Sequence, residues 1–114
     1  MSTNNAYAIV FNGTKKPLEK KNFPLSSKIG DNEVIVEISL TTVCGSDVHT
    51  WLGHRPFPTP CILGHEMVGK VNKLGACVKN DFSGNKLNEG DRIVWSMTVC
   101  CKECFFCKHN LPQK

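Results

Sequence analysis

Cys44, His65 and Glu66 place a thiolate, an imidazole and a carboxylate within one short stretch, separated by turn-forming residues. Those are the groups a catalytic zinc ion takes: soft and borderline ligands that leave one position open for substrate. Zinc lowers the pKa of an alcohol or water beside it, so a proton has to be led away. Ser46 and His49 offer a hydroxyl and an imidazole for that path. Asp47 is placed to orient a ligand from behind. Spacing alone leaves metal ligation and ordinary structural roles equally open for the three residues. A lone cysteine at a strand end is commonly a small buried hydrophobe, and Cys61 and Cys77 read that way. His54 and His109 read as surface or hydrogen-bonded histidines.

A second cluster, Cys101-x2-Cys104-x2-Cys107, offers three thiolates where a tetrahedral structural zinc wants four ligands. His109 is a conceivable substitute, but it follows Cys107 too closely to be the favoured one. Two other cofactors fit poorly. A ferredoxin run would need a cysteine where Leu111 stands. Cys100-x3-Cys104-x2-Cys107 has the spacing of a radical-SAM cluster loop, which follows the first strand of an α/β barrel rather than ending a β-rich chain. Zinc is the better reading for this cluster.

These side chains need strands to carry them. Tyr7-Ala8-Ile9-Val10-Phe11 is a short apolar run closed by Asn12-Gly13, as for a strand entering a turn. Residues 15–23 are polar and predict an exposed edge strand or loop around Pro17. Residues 33–40 predict the clearest strand, with Val34, Val36, Ile38 and Leu40 on one face and Glu37 and Ser39 on the other. Ser46 is suited to cap a helix over residues 47–52 that Gly53 ends. Pro56, Pro58 and Pro60 then enforce irregular chain. Residues 66–74 predict a strand ending at Gly75, residues 80–90 a polar loop carrying Gly84-Asn85, and residues 91–97 the last strand. Everything after Val99 reads as cysteine-rich loop. The expected fold is mainly β (α+β), a small barrel or sandwich with long functional loops.

At 114 residues, with 40% apolar and 21% charged residues, there is room for one modest globular domain. The net charge of +4 comes mostly from scattered lysines, without the basic and aromatic stripe of a nucleic-acid binder. No apolar run approaches the ~18 residues needed to span a membrane. The polar start Met1-Ser2-Thr3-Asn4-Asn5 lacks the apolar core of a signal peptide. Seven cysteines without such a leader suit a reduced, cytoplasmic protein that uses thiols for metal.

Gly64-His65-Glu66-Met67-Val68-Gly69, followed after five residues by Gly75 and then by Val78, resembles the signature of the zinc-containing medium-chain alcohol dehydrogenases. Cys44-Gly45-Ser46-Asp47-Val48-His49, Gly90-Asp91-Arg92-Ile93-Val94 and the cysteine lobe follow in that family's order, so the resemblance runs from Tyr7 onward. It implies a GroES-like barrel with a zinc lobe at its C-terminal end, preceding a Rossmann domain for NAD or NADP. By motif, Cys44, His65 and Glu66 would hold the catalytic zinc, and Ser46 and His49 would relay the substrate proton. Cys101, Cys104 and Cys107 would hold the structural zinc, with a fourth ligand expected just past Lys114.

On that resemblance, residues 1–114 are expected to be the N-terminal domain, cut within the lobe and lacking the Rossmann domain, with no G-x-G-x-x-G present. The implied substrate is a small alcohol or polyol, and the full-length enzyme a homo-oligomer. The form Cys-Gly-Ser-Asp-x-His looks more like polyol and threonine dehydrogenases. Residues 92–96, Gly84-Asn85 and Leu111-Pro112-Gln113-Lys114 are similar to a phosphonate-associated branch. Trp51, Arg55 and Phe57 are candidates to face substrate, Trp51 equally a core residue. The 114 residues alone are expected to turn over no alcohol with NAD. The rival expectation is a stand-alone, non-catalytic zinc-binding or GroES-like interaction module; a co-chaperonin proper would need no Cys-His-Glu constellation.

Overall fold

A computed structural model describes residues 5–111. The N-terminal stretch before Asn5 and the similarity at residues 112–114 lie outside the described residues. The order of elements is β1 (Asn5–Phe11), β2 (Glu19–Pro24), β3 (Val34–Thr41), α1 (Gly45–Trp51), β4 (Cys61–Ile62), β5 (Met67–Leu74), β6 (Arg92–Val94) and α2 (Phe105–Lys108). They form two three-stranded antiparallel sheets, β2-β1-β4 and β3-β5-β6.

The first sheet follows from the apolar run in β1, where Val10 and Phe11 are buried. Burying each stabilises by roughly 2 kcal/mol. β2 is the polar edge that Pro17 and the lysines foreshadow, and its lysines discourage further strand addition. Lys20 Nζ lies 4.1 Å from the centre of the Tyr7 ring, and Lys21 pairs with Glu19 at 3.1 Å.

In the second sheet β5 is central. Val71 is buried, and its N–H and carbonyl are tied to the Asp91 carbonyl and the Gly90 N–H, both at 2.8 Å. Gly75 ends β5 where a Cβ would collide with the Gly30 and Asp31 carbonyl oxygens, so only glycine lets the turn before β3 close over it. The expected alternation in β3 does not hold. Register shifts between Ile35 and Val36 and between Ile38 and Leu40 interrupt the pairing, and Ile38 and Leu40 end up exposed. A bulge turns the residues after it to new faces, which a strict period of two cannot show.

Three further expectations change. Cys44, not Ser46, is the N-cap of α1, with extended backbone at φ −87° and ψ 157°. Gly53 does follow the helix end, at φ +82°. The final strand is confined to Arg92–Val94, and the cysteine-rich tail contains the one-turn helix α2.

Among the described residues the buried apolar side chains are Val10, Phe11 and Val71. The molecule is a slab of 45 × 44 × 22 Å. Its accessible surface is 9350 Å², against ~6,200 Å² for a compact monomer of this mass. The two sheets are therefore laid out but not closed over a common core.

Candidate metal centre

β3 and β5 run antiparallel with Thr41 opposite Met67. The C-terminal end of β3 and the N-terminal end of β5 thus meet at one edge of the sheet. Cys44 leaves that edge on the way into α1, and His65 and Glu66 arrive at it just before β5. Strand pairing therefore brings together residues far apart in the chain. One ligand atom from each of Cys44, His65 and Glu66 lies within 4.8 Å of the others.

Asp47, buried on the first turn of α1, holds this corner together. Its Oδ2 accepts the Cys44 N–H at 3.0 Å, and its Oδ1 accepts the Gly64 N–H at 3.3 Å. His65 Nδ1 lies 3.5 Å from the same Oδ1. A carboxylate only accepts, so the ring proton faces Asp47 and Nε2 is left for the cluster. Such a carboxylate–histidine arrangement fixes the ring of a metal-ligating histidine. Ser46 Oγ stands 3.5 Å from His65 Nε2.

The electrostatics polarise the pair. The Ser46 N–H, then its hydroxyl and His65, lower the Cys44 pKa below the ordinary thiol value. The Cys44 side chain, supported by the Asp47 charge, raises that of His65. A thiolate is the form that binds metal, and an incoming ion would displace the proton from His65. The donor set of sulfur, nitrogen and oxygen, with Asp47 behind it, fits a zinc ion held by three protein groups.

Glu66 is anchored from the opposite side. Its Oε2 accepts the Thr42 hydroxyl. Its carbonyl accepts the Thr42 N–H at 3.0 Å and the Thr41 hydroxyl at 3.1 Å. No motif in the sequence marks Thr41 or Thr42; the signal lies in the β3–β5 register, which spacing does not reveal.

The proposed second step of the proton path is not linked. Among the described residues no hydrogen bond joins Ser46 to His49, whose ring instead lies 5.8 Å from that of His54. A cleft of about 300 Å³ adjoins the cluster. Val43, Val48 and Trp51 line its apolar wall, and Thr42, Asp47 and Gly64 its polar end. Trp51 borders this cleft, half-exposed rather than in a core, whereas Arg55 and Phe57 do not line it.

Cys101, Cys104 and Cys107 also converge within 4.8 Å. The loop folds on its own sulfurs: the Cys104 N–H donates to Cys101 Sγ at 3.3 Å, and the Cys107 N–H to Cys104 Sγ at 3.5 Å. The Glu103 and Cys104 N–H groups lower the Cys101 pKa to about 7. The Lys102 N–H favours the Cys107 thiolate, but the adjacent Cys104 thiol and burial outweigh it and raise that pKa. His109 does not converge with the three thiols: its Nδ1 donates to the Phe105 carbonyl at 2.8 Å and its ring stacks on Phe105 at 4.1 Å. Of the lone cysteines, Cys61 is half-buried in β4, but Cys77 is exposed, contrary to expectation.

Residues 30–114 match the family model of the alcohol dehydrogenase GroES-like domain. The chain belongs to that family. It is 35% identical to zinc-type alcohol dehydrogenase B of Aspergillus flavus, over 100% of this chain and 25% of the relative. It is 40% identical to D-arabitol-phosphate dehydrogenase of Enterococcus avium, over 70% of this chain and 22% of that one. The crystal structure of an alcohol dehydrogenase from Thermotoga maritima superposes with a TM-score of 0.80 at 41% identity, covering 95% of this chain and 30% of that one. The GroES-like fold expected from the motifs is thus the fold observed. The chain spans about a quarter of the length of the curated relatives it matches. No helix among the described residues is long and apolar enough to cross a membrane.

Proposed function

We propose that the chain is the zinc-holding N-terminal part of an NAD(P)-linked dehydrogenase acting on a small alcohol or polyol. The observation that carries this reading is the convergence of Cys44, His65 and Glu66 within 4.8 Å beside a cleft, with the buried Asp47 oriented on two of them. When each is bound, zinc supplies positive charge beside the substrate oxygen and the nicotinamide accepts a hydride.

The chain's own residues do the rest. Cys44, His65 and Glu66 would hold the catalytic ion, and Asp47 keeps the Cys44 backbone and the His65 ring in place. Ser46 would relay the substrate proton, its Oγ accepting it as the hydroxyl's own proton passes outward to solvent by way of His49. Val43, Val48 and Trp51, on the apolar side of the adjoining cleft, would face the carbon chain of the substrate. Cys101, Cys104 and Cys107 would hold a structural ion. A Rossmann domain for NAD or NADP would lie on the remaining length that the relatives have, and assembly would be homo-oligomeric. Seven free cysteines suit the reducing cytoplasm.

The rival, a zinc-binding interaction module without catalysis, has no use for a hydroxyl at Ser46 facing the donor cluster, which favours the enzyme. Metal content measured by atomic emission tests the reading. One equivalent of zinc is expected at the cluster of Cys44, His65 and Glu66, and it should be lost on Cys44→Ser. Zinc absent from the wild-type chain, or content unchanged by Cys44→Ser, would overturn the assignment.

A further inference from the structure

Of the three donors at the β3–β5 corner, Glu66 is the most exposed and has no contact with Asp47. Cys44 and His65 are ordered by a buried carboxylate, yet the Glu66 side chain, left alone, would sample many rotamers. What orders it is the end of β3. The Thr42 N–H donates to the Glu66 carbonyl at 3.0 Å, so the two residues face each other across a continuation of the β3–β5 ladder. Side chains of directly opposed residues share one face of a sheet and lie within reach. The Thr42 hydroxyl uses that proximity to donate to Glu66 Oε2. Threonine is β-branched and stiff about its first torsion, so the strand backbone itself aims the hydroxyl. The neighbouring Thr41 hydroxyl holds the Glu66 carbonyl at 3.1 Å, fixing the backbone from which the carboxylate projects.

We infer that Thr42 is a positioning residue for the metal centre: its hydroxyl holds the Glu66 carboxylate in the cluster with Cys44 and His65. The inference rests on the reading of those three residues as metal ligands. A carboxylate already held through one oxygen has lost much of its rotamer freedom before an ion arrives, so ligation costs less order. Thr42 therefore acts on the ion through Glu66.

The test is Co²⁺ titration of the chelator-stripped chain, reading the thiolate-to-cobalt absorption that Cys44→Ser removes. Thr42→Val keeps the shape and branching but deletes the donor, and should weaken Co²⁺ at this site by ~10-fold or more. Thr42→Ser, which keeps the hydroxyl, should restore most of that affinity. In a Glu66→Ala background, Thr42→Val should cost nothing further, because the two residues act as one unit. Unchanged affinity in Thr42→Val, or an equal loss in the Glu66→Ala background, overturns the positioning role and leaves the metal centre standing. Absence of any Cys44-dependent cobalt signal in the wild-type chain overturns the metal centre, and the inference with it.

Discussion

The two thiol clusters share donor chemistry but are supported in opposite ways. Cys44, His65 and Glu66 sit where two paired strands end, tied from one side by the buried Asp47 and from the other by Thr41 and Thr42. Cys101, Cys104 and Cys107 sit in an exposed loop whose N–H groups bond back to its own sulfurs. The first cluster borrows its geometry from the fold, so damage there is damage to the sheet. The second carries its geometry locally, so it can be lost without the sheet noticing. A site that must meet a substrate needs the former kind of support; a staple that only closes a loop can use the latter.

The sharpest way to break this contrast is Asp47→Ala. It strips the partner from two N–H groups and the His65 ring at once, and should destabilise the chain by on the order of 3 kcal/mol. It should also abolish cobalt binding at Cys44 while leaving the second cluster competent. Thermal unfolding and metal titration of one sample would show both; an unshifted melting temperature would remove Asp47 from its place at the centre of the corner.

Cys104→Ser is the counterpart and should do the reverse. It should abolish any metal binding at the second cluster, yet in the metal-free chain it should change stability by less than about 0.5 kcal/mol, as an exposed substitution does. A larger loss in urea unfolding would mean that the lobe supports the sheets after all.

The smallest effect is a reactivity difference within the lobe. Cys101, with its pKa lowered to about 7 by the N–H groups of Glu103 and Cys104, becomes thiolate as pH rises through that value. Its alkylation by iodoacetamide in chelator should therefore rise to half its maximum near pH 7, below the ~8.5 of an ordinary cysteine. Cys107, raised instead, should lag at every pH. Equal rates for the two thiols would show that the loop does not hold its sulfurs apart electrostatically.

Residue type and local spacing singled out the candidate donors of both clusters, but at Cys44 and Gly64-His65-Glu66 it took the resemblance of the wider motif order to favour metal over a structural role. The sequence also marked Asp47 as an orienting residue, since a carboxylate three residues into a helix can reach back to its start. Thr42 stayed invisible because its importance comes from the register of two strands, not from neighbours in the chain. Spacing likewise could not show that Ser46 and His49 share no direct hydrogen bond among the described residues: one helical turn sets two residues on a common side but not within bonding distance. β4 was missed because two residues show no periodicity, and the exposed faces of Ile38 and Leu40 because bulges reset the alternation.

The passage from β4 to β5 has a consequence for how this molecule opens. β4 belongs to the sheet of β1, β5 to the other sheet, and Leu63, Gly64, His65 and Glu66 form the short bridge between them. With little packing between strands of different sheets, the two halves are free to exchange amide protons as separate cooperative units. An ion held by Cys44, His65 and Glu66 would pin only the β3–β5 end of that bridge, so loading it should slow exchange in the second sheet while leaving the first to open as before.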